Sequence, residues 1–245
     1  MNHVLEIIGF NIESCIAAQE AGAGRIELCT SPGEGGTSPS FGLIKSARKI
    51  LHIPLYVMVR PRGGDFLYSP EEFEMMLYEI DCIKKLGADG VVIGILNKDG
   101  SIDKDRCAQL VEFAYPLGAT FHRAFDRVSD PVKSIGDVIS TGCERILTSG
   151  LKPTVEEGLE MIKILLKKAN GEIIIMPGSG VRAGNMQRIL EETGVTEIHS
   201  SASMKRKSEM NYTNPEMNEN LEYTSVSEDE VRKMAGILKK IFPDN

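Results

Sequence analysis

The feature that most constrains the fold is an end-to-end alternation of short β-branched runs with longer amphipathic helical patterns. Such alternation is typical of βα units that build a parallel sheet. The eight predicted strands are Val4–Gly9, Arg25–Cys29, Leu55–Arg60, Gly90–Ile95, Ala119–His122, Arg145–Thr148, Ile173–Met176 and Glu197–His199. The eight predicted helices are Asn11–Ala21, Ser40–Leu51, Pro70–Leu86, Asp103–Leu117, Asp130–Ser140, Thr154–Lys168, Ala183–Glu192 and Ser227–Ile241.

One short turn recurs where predicted helices lead into strands, and its glycines are Gly22, Gly87, Gly118, Gly142 and Gly194. Glycine allows the left-handed conformation in which helices often end. Eight βα units in 245 residues predict an α/β chain with a single (β/α)8 TIM barrel over residues 1–245, since this fold takes about 250 residues. A doubly wound open sheet is the alternative, but the first strand lacks the glycine-rich turn that follows it in dinucleotide-binding folds.

A polar stretch at about residues 202–226 lies between the eighth strand and the last helix. It is rich in Ser, Asn, Glu, Met and Lys and shows no clear periodicity. Long connections of this kind are usually mobile lids or disordered segments. We therefore expect an irregular loop here.

Charge and composition argue against several classes of protein. A net charge of −7 argues against a general nucleic-acid surface. No apolar run reaches the roughly 18 residues of a membrane span, and the first residues lack the basic region of a secretory signal. The five cysteines form no CxxC pair, which favours free, mostly buried thiols. We expect a cytoplasmic protein with neither a nucleic-acid nor a membrane partner.

Polar residues at the carboxyl ends of the strands are the candidates for function, because TIM-barrel active sites lie there. The candidate catalytic residues are Glu6, Glu27, His122 and Asp126. The candidate anion-binding residues are Arg60, Arg62, Arg123, Ser149, Gly178, Gly180, His199 and Ser200. The candidate metal ligand is Cys29.

Glu6 and Glu27 occupy apolar strands, where a carboxylate is costly unless a cation pairs with it. We expect Arg60, Arg62 or Arg123 to supply that cation. Two interpretations stay open: a carboxylate pair tuned for proton transfer or ligand binding, or a structural ion network.

His122 is followed four residues later by Asp126. This spacing suggests a general base, or a metal ligand, that the aspartate orients. A buried histidine without a functional role is the alternative.

The loops after the seventh and eighth strands contain Gly178-Ser-Gly180 and His199-Ser200. Many TIM barrels bind phosphate at these loops through backbone N–H groups. The position predicts a cradle for a phosphate or another oxyanion, although sharp turns also require glycine.

Five long motifs then become recognisable: Arg25-Ile-Glu-Leu-Cys29, Glu34-Gly-Gly-Thr-Ser-Pro-Ser40, Val59-Arg-Pro-Arg-Gly-Gly-Asp-Phe66, Thr120-Phe-His-Arg-Ala-Phe-Asp126 and Arg145-Ile-Leu-Thr-Ser-Gly150. They resemble the CutC family, which is named for copper homeostasis. The resemblance runs to about Ser201. It implies a barrel, a cytoplasmic and often oligomeric protein, and an association with copper tolerance and Cu(I) binding, without an established reaction.

The resemblance also implies a ligand for copper at Cys29. Some family members have a second cysteine in the first strand, where this chain has Ile8. Two hypotheses follow. One is a homo-oligomeric copper homeostasis protein that binds Cu(I) at Cys29, and the other is a TIM-barrel enzyme or binder for a small anionic metabolite, a class that includes phosphorylated compounds.

Overall fold

The computed structural model describes residues 3–243, and eight parallel strands form its barrel. The strands are β1 (Val4–Gly9), β2 (Arg25–Leu28), β3 (Leu55–Met58), β4 (Gly90–Ile93), β5 (Gly118–Phe121), β6 (Arg145–Thr148), β7 (Ile174–Pro177) and β8 (Glu197–Ser200). Hydrogen-bonded neighbours run in the order β7-β6-β5-β4-β3-β2-β1-β8, and β7 contacts β8. The predicted (β/α)8 TIM barrel is confirmed.

Within residues 3–243, eight α-helices surround the barrel. They are α1 (Ile12–Glu20), α2 (Phe41–Ile50), α3 (Pro70–Lys85), α4 (Lys104–Ala114), α5 (Pro131–Ser140), α6 (Leu159–Ala169), α7 (Ala183–Thr193) and α8 (Glu228–Ile241). α6 begins five residues later than its predicted start at Thr154, because turns occupy the intervening residues. No helix between residues 3 and 243 is long and apolar enough to cross a membrane.

The side chains of each strand alternate between two environments, as the period of two in a strand requires. One set packs between the sheet and the helices and includes Leu5, Ile7 and Ile26. The other faces the inside of the barrel, where Ile8, Cys29, Tyr56, Met58 and Val92 form a small apolar cluster. Glu6 and Glu27 share the inward face and are almost fully buried.

The polar stretch at residues 202–226 is more ordered than predicted. Its two ends form an antiparallel pair, β9 (Ser203–Arg206) and β10 (Tyr223–Val226). Contacts with α1 hold the pair in place: Asn11 Nδ2 donates to the Thr224 carbonyl at 3.1 Å, and the Ser14 and Ser225 hydroxyls lie 3.4 Å apart. The stretch that was expected to be irregular therefore contains a short strand at each end.

Candidate functional site

A cavity of about 170 Å³ opens at the carboxyl ends of the barrel strands, and we call it the mouth cavity. Its lining residues are Ile8, Phe10, Glu27, Gly35, Met58, Arg60, Phe66, His122, Arg123, Leu147, Ser179, Gly180, His199 and Ser201. Polar groups from β2 and β8 and from the segments after β3 and β5 thus meet in one place. The lining is otherwise largely apolar, which is typical of small-molecule sites.

One wall of the mouth cavity contains an imidazole between two carboxylates. His199 Nδ1 lies 2.7 Å from Glu6 Oε1, and His199 Nε2 lies 4.0 Å from Glu27 Oε2. Glu6 fixes the orientation of the ring and directs Nε2 toward Glu27. The other carboxylate oxygen, Glu27 Oε1, is buried without a hydrogen-bond partner.

Beneath this wall lies a buried ion network that consists of Glu6, Arg25, Arg145 and Glu197. The Arg25 guanidinium donates to both Glu6 and Glu197, and Arg145 Nε donates to Glu197 at 3.0 Å. All four side chains are less than one-tenth exposed. A buried arginine that bridges two carboxylates offsets part of the cost of burying them, and removing it would leave uncompensated buried charges.

The predicted cation partners of Glu6 and Glu27 were therefore wrong. Arg25 and His199 pair with Glu6, whereas the three arginines after β3 and β5 have other partners. Arg62 pairs with Glu72 at 2.6 Å and with Asp65 at 2.9 Å on the outside of the barrel.

The two carboxylates differ in charge state because their surroundings differ. Burial alone would raise the pKa of Glu6, but the Arg25 charge and the contact with His199 lower it to about 2. Glu27 lacks such a partner, and burial raises its pKa to about 7. Burial also opposes a charge on His199, yet Glu27 and Glu6 together raise the pKa of its imidazole above the ordinary value.

His122 follows β5 and lies on another wall of the mouth cavity. Its Nδ1 accepts a hydrogen bond from the Ala124 N–H at 3.2 Å, so the neutral ring carries its proton on Nε2. That Nε2 atom is buried without a partner. Burial, followed by the charge of Arg60, lowers the pKa of His122 to about 3.

Asp126 does not orient His122 as predicted. It accepts hydrogen bonds from the Thr148 hydroxyl at 2.5 Å and from the Ser149 N–H at 3.0 Å. Arg123 pairs with it at 2.7 Å and also donates to the Ser149 hydroxyl at 3.0 Å. Asp126 and Ser149 thus tie the segment after β5 to the loop after β6, and a role for Ser149 in anion binding stays a prediction.

Arg60 is 5% exposed, and its guanidinium donates to three backbone carbonyls. Nη1 contacts Glu34 O at 2.6 Å and Gly36 O at 2.8 Å, and Nη2 contacts Gly64 O at 3.0 Å. No carboxylate among residues 3–243 forms an ion pair with it within 4.0 Å. Its Nε is buried without a partner, and its Cζ lies 4.8 Å from the centre of the Phe66 ring.

The predicted phosphate cradle has few free groups. The Gly178 N–H donates to Thr148 O, and the Ser200 hydroxyl donates to Val181 O at 2.7 Å. At the start of α7, the Ala183 N–H donates to a Glu230 carboxylate oxygen at 2.8 Å. A carboxylate from α8 thus occupies the helix terminus that a phosphate would use. Gly180 lines the mouth cavity, and its role in anion binding stays a prediction.

Cys29 is fully buried below the loop after β2 and is not among the residues that line the mouth cavity. A Cβ atom placed on Gly36 would lie 3.2 Å from Cys29 Sγ and 3.7 Å from Met58 Cε, so both side chains pack beneath this glycine. Burial, and then the charge of Glu27, raise the pKa of the Cys29 thiol well above its ordinary value. Cys29 as a copper ligand stays a prediction, and copper would have to reach it from outside the mouth cavity lining.

Glu6, Glu27 and His199 are also the residues best placed to hold a metal ion. Each offers one ligand atom, and these atoms all lie within 4.8 Å of one another. Carboxylate oxygen and imidazole nitrogen suit divalent ions such as Zn²⁺ and Cu²⁺, whereas Cu(I) favours thiolate and thioether sulfur.

The comparisons with known proteins agree on one family. The sequence model of the CutC family matches residues 3–204. The chain belongs to the CutC family. A mouse protein named copper homeostasis protein cutC homolog is 48% identical over 211 residues, which cover 86% of this chain and 78% of that protein. The CutC match ends before most of the β9–β10 segment and before α8.

Solved structures extend the comparison to the fold. A Streptococcus agalactiae protein, described as a candidate copper homeostasis protein CutC, has a TM-score of 0.78 and 38% identity, and the match covers 81% of this chain and 98% of that chain. A thiamine phosphate pyrophosphorylase from Pyrococcus furiosus has a TM-score of 0.61 at 17% identity over 98% of this chain and 96% of that one. The second likeness shows the barrel fold alone.

Sequence reasoning missed two groups of site residues. Arg25, Arg145 and Glu197 are the first residues of their strands, whereas the barrel fold predicts functional residues at the carboxyl ends. The spacing Arg25-x-Glu27 and Glu197-x-His199 was the available signal, since residues two apart share a strand face. Phe10 and Phe66 lie in segments after strands, where no periodicity indicates which way a side chain points.

Proposed function

We propose that this CutC protein takes part in copper homeostasis by binding a copper ion in the mouth cavity, through Glu27 and His199. The observation that supports this proposal is the cluster of Glu6, Glu27 and His199 donor atoms within 4.8 Å, in a chain whose relatives are named for copper homeostasis. Copper would be the cargo of the protein, and its ligands at this site would be carboxylate oxygen and imidazole nitrogen atoms.

The residues present fit such an ion. Glu27 Oε1 has no hydrogen-bond partner, so a cation would satisfy it. His199 Nδ1 lies 2.7 Å from Glu6 Oε1, so Nε2 is the ring atom that would bind the ion, and because the pKa of His199 is raised the ion would displace a proton from it. A carboxylate behind a ligating histidine is a common arrangement in metal sites, because it fixes the ring and raises its basicity.

The ligand set distinguishes two oxidation states. Oxygen and imidazole favour Cu(II), whereas the Cu(I) proposed from the sequence would need Cys29. Met58 packs with Cys29 in the barrel interior, and it would supply a second soft ligand. Against this alternative, the raised pKa of Cys29 means that the thiolate forms only if copper displaces its proton.

Titration calorimetry with Cu(II) will test the proposal. We expect Glu27→Gln and His199→Asn each to weaken Cu(II) binding by about 10–100-fold, and Glu6→Gln to weaken it by about tenfold. Cys29→Ser is the matched control and should leave the Cu(II) affinity unchanged. The same series with Cu(I) under anaerobic reduction decides between the sites: if only Cys29→Ser removes copper binding, the proposed ligands are wrong.

We also propose that the protein is a cytoplasmic homo-oligomer, as the family resemblance implies. Four aromatic side chains on the described surface are more than half exposed, namely Phe41, Tyr78, Tyr115 and Tyr212. Multi-angle light scattering should give a multiple of the 26.9 kDa chain mass. A mass of one chain at micromolar concentration would contradict the oligomer.

A further inference from the structure

Arg60 is a buried cation whose hydrogen-bond partners are neutral. Its guanidinium donates to three backbone carbonyls and lies near the neutral Tyr68 hydroxyl, and its Nε has no hydrogen-bond partner. Buried charges are normally paired, because an uncompensated charge in a low-dielectric interior is costly. Arg60 also lines the mouth cavity, so an anion in that cavity would supply the missing partner.

His122 adds a neutral donor beside this cation. The hydrogen bond from Ala124 N–H to Nδ1 places the ring proton on Nε2. His122 is 3% exposed, and its Nε2 has no acceptor. Gly94 leaves the space that the imidazole ring occupies, because a Cβ at this position would lie 2.5 Å from His122 Cε1 and Nδ1. An unsatisfied buried donor costs roughly the free energy of a lost hydrogen bond, so an acceptor is expected to meet it.

Phe66 lies against both groups. Its ring centre is 4.9 Å from the centre of the His122 imidazole and 4.8 Å from Arg60 Cζ. Phe66 itself is only half-buried and lines the cavity. A ligand that reaches the enclosed donor atoms therefore displaces this ring, and Met58 and Leu147 leave apolar surface for the rest of the ligand.

From these contacts we propose that His122 and Arg60 form a binding site for the carboxylate of a small organic acid, on a different wall of the mouth cavity from Glu27 and His199. The two donors present one N–H each, which matches the two oxygens of a carboxylate. His122 stays neutral and donates at physiological pH, since burial lowers its pKa to about 3. This site goes beyond the copper proposal and does not depend on it.

The charge count favours a monoanion over a phosphate. Arg60 supplies one positive charge, whereas the other arginine in the cavity lining, Arg123, already pairs with Asp126 at 2.7 Å. A phosphate dianion would also need more donors than the two free N–H groups. The ligand class is accordingly a monocarboxylate with a short apolar body.

Binding of propionate, acetate and inorganic phosphate to copper-free protein, prepared with a chelating resin, tests this site. We expect propionate to bind more tightly than acetate and phosphate, with chloride as the ionic-strength control. His122→Asn should weaken propionate binding by about tenfold or more, the effect of losing a charge-assisted or buried hydrogen bond. Arg60→Lys should also weaken it, while His52→Asn, at an exposed histidine, should not.

A readout on the unmutated protein guards against variants that fail to fold. In nitrogen-15 spectra, His122 should appear as the neutral Nε2–H tautomer, and propionate should shift its Nε2 signal. The proposal is overturned by an Nδ1–H tautomer, by an Nε2 signal that propionate does not move, or by equal propionate affinity in His122→Asn. Preference for phosphate would overturn the carboxylate assignment. None of these results bears on copper binding by Glu27 and His199.

Discussion

Replacing Arg25 with methionine should lower the free energy of unfolding at pH 7 by about 3–5 kcal/mol, the usual cost of removing one partner from a buried ion pair. Arg25 is the group that donates to both Glu6 and Glu197, and its side chain is 5% exposed. Methionine fills a similar volume but leaves Glu6 dependent on His199 and Glu197 dependent on Arg145. Urea unfolding followed by circular dichroism measures the loss.

A matched control and the pH dependence distinguish the loss of the buried ion pairs from the loss of packing by a long basic side chain. Lys85→Met removes an exposed helical pair with Asp81 and should change stability little. Arg25 and His199 together lower the pKa of Glu6 from 4.5 to about 2 against the effect of burial, so the stabilisation that Arg25 supplies is present above pH 4.5 and is lost as the pH falls toward 2. The Arg25→Met deficit should therefore shrink in acid. A deficit as small as that of Lys85→Met would refute the argument.

A second variant tests the partner assignment directly. Glu6→Gln in the Arg25→Met background removes one of the two buried carboxylates that have lost Arg25 as a partner, so it should recover part of the lost stability. In the wild-type background, the same Glu6→Gln change should destabilise, because Arg25 would then keep only Glu197. Opposite signs in the two backgrounds are the signature of a coupled pair.

The fold was largely predictable from local sequence signals. Each βα unit carries its own information, in a short β-branched run and a glycine such as Gly142 that ends a helix with a positive φ of 85°. Because parallel barrels repeat this unit, errors of one to five residues at element ends do not change the topology. The β9–β10 pair was not predictable in this way, since Ser203–Arg206 and Tyr223–Val226 pair across a long exposed connection.

The sequence predicted which residues lie near one another at the site, but not how their charged groups pair. Strand ends meet at the barrel mouth, so Glu27, His122 and His199 were expected to converge, and all three line the cavity. Which charge pairs with which depends on side-chain direction and reach, and sequence spacing alone does not supply these. Arg60, for example, turns back to the carbonyls of its neighbouring loops instead of reaching Glu27.

His122→Asn should make the free energy of unfolding fall less steeply as the pH is lowered below 6.5. Burial and the charge of Arg60 lower the pKa of His122 from 6.5 to about 3, so the folded protein resists a proton that the unfolded chain accepts. The stability that this residue contributes is present above pH 6.5 and is lost as the pH falls through 6.5 toward 3, by about 1.4 kcal/mol per pH unit. Between pH 6.5 and pH 4.5 the wild type should lose about 2–3 kcal/mol that His122→Asn does not lose.

Asparagine is the appropriate replacement because its side-chain oxygen can accept the Ala124 N–H that His122 Nδ1 accepts at 3.2 Å. The variant therefore removes the titrating group while keeping the cap, and its constant offset in stability does not affect the slope. His52→Asn, at an exposed position, serves as the control and should keep the wild-type slope. If His122→Asn and the wild type lose stability in parallel down to pH 4.5, then burial does not lower the pKa of His122 in the folded protein.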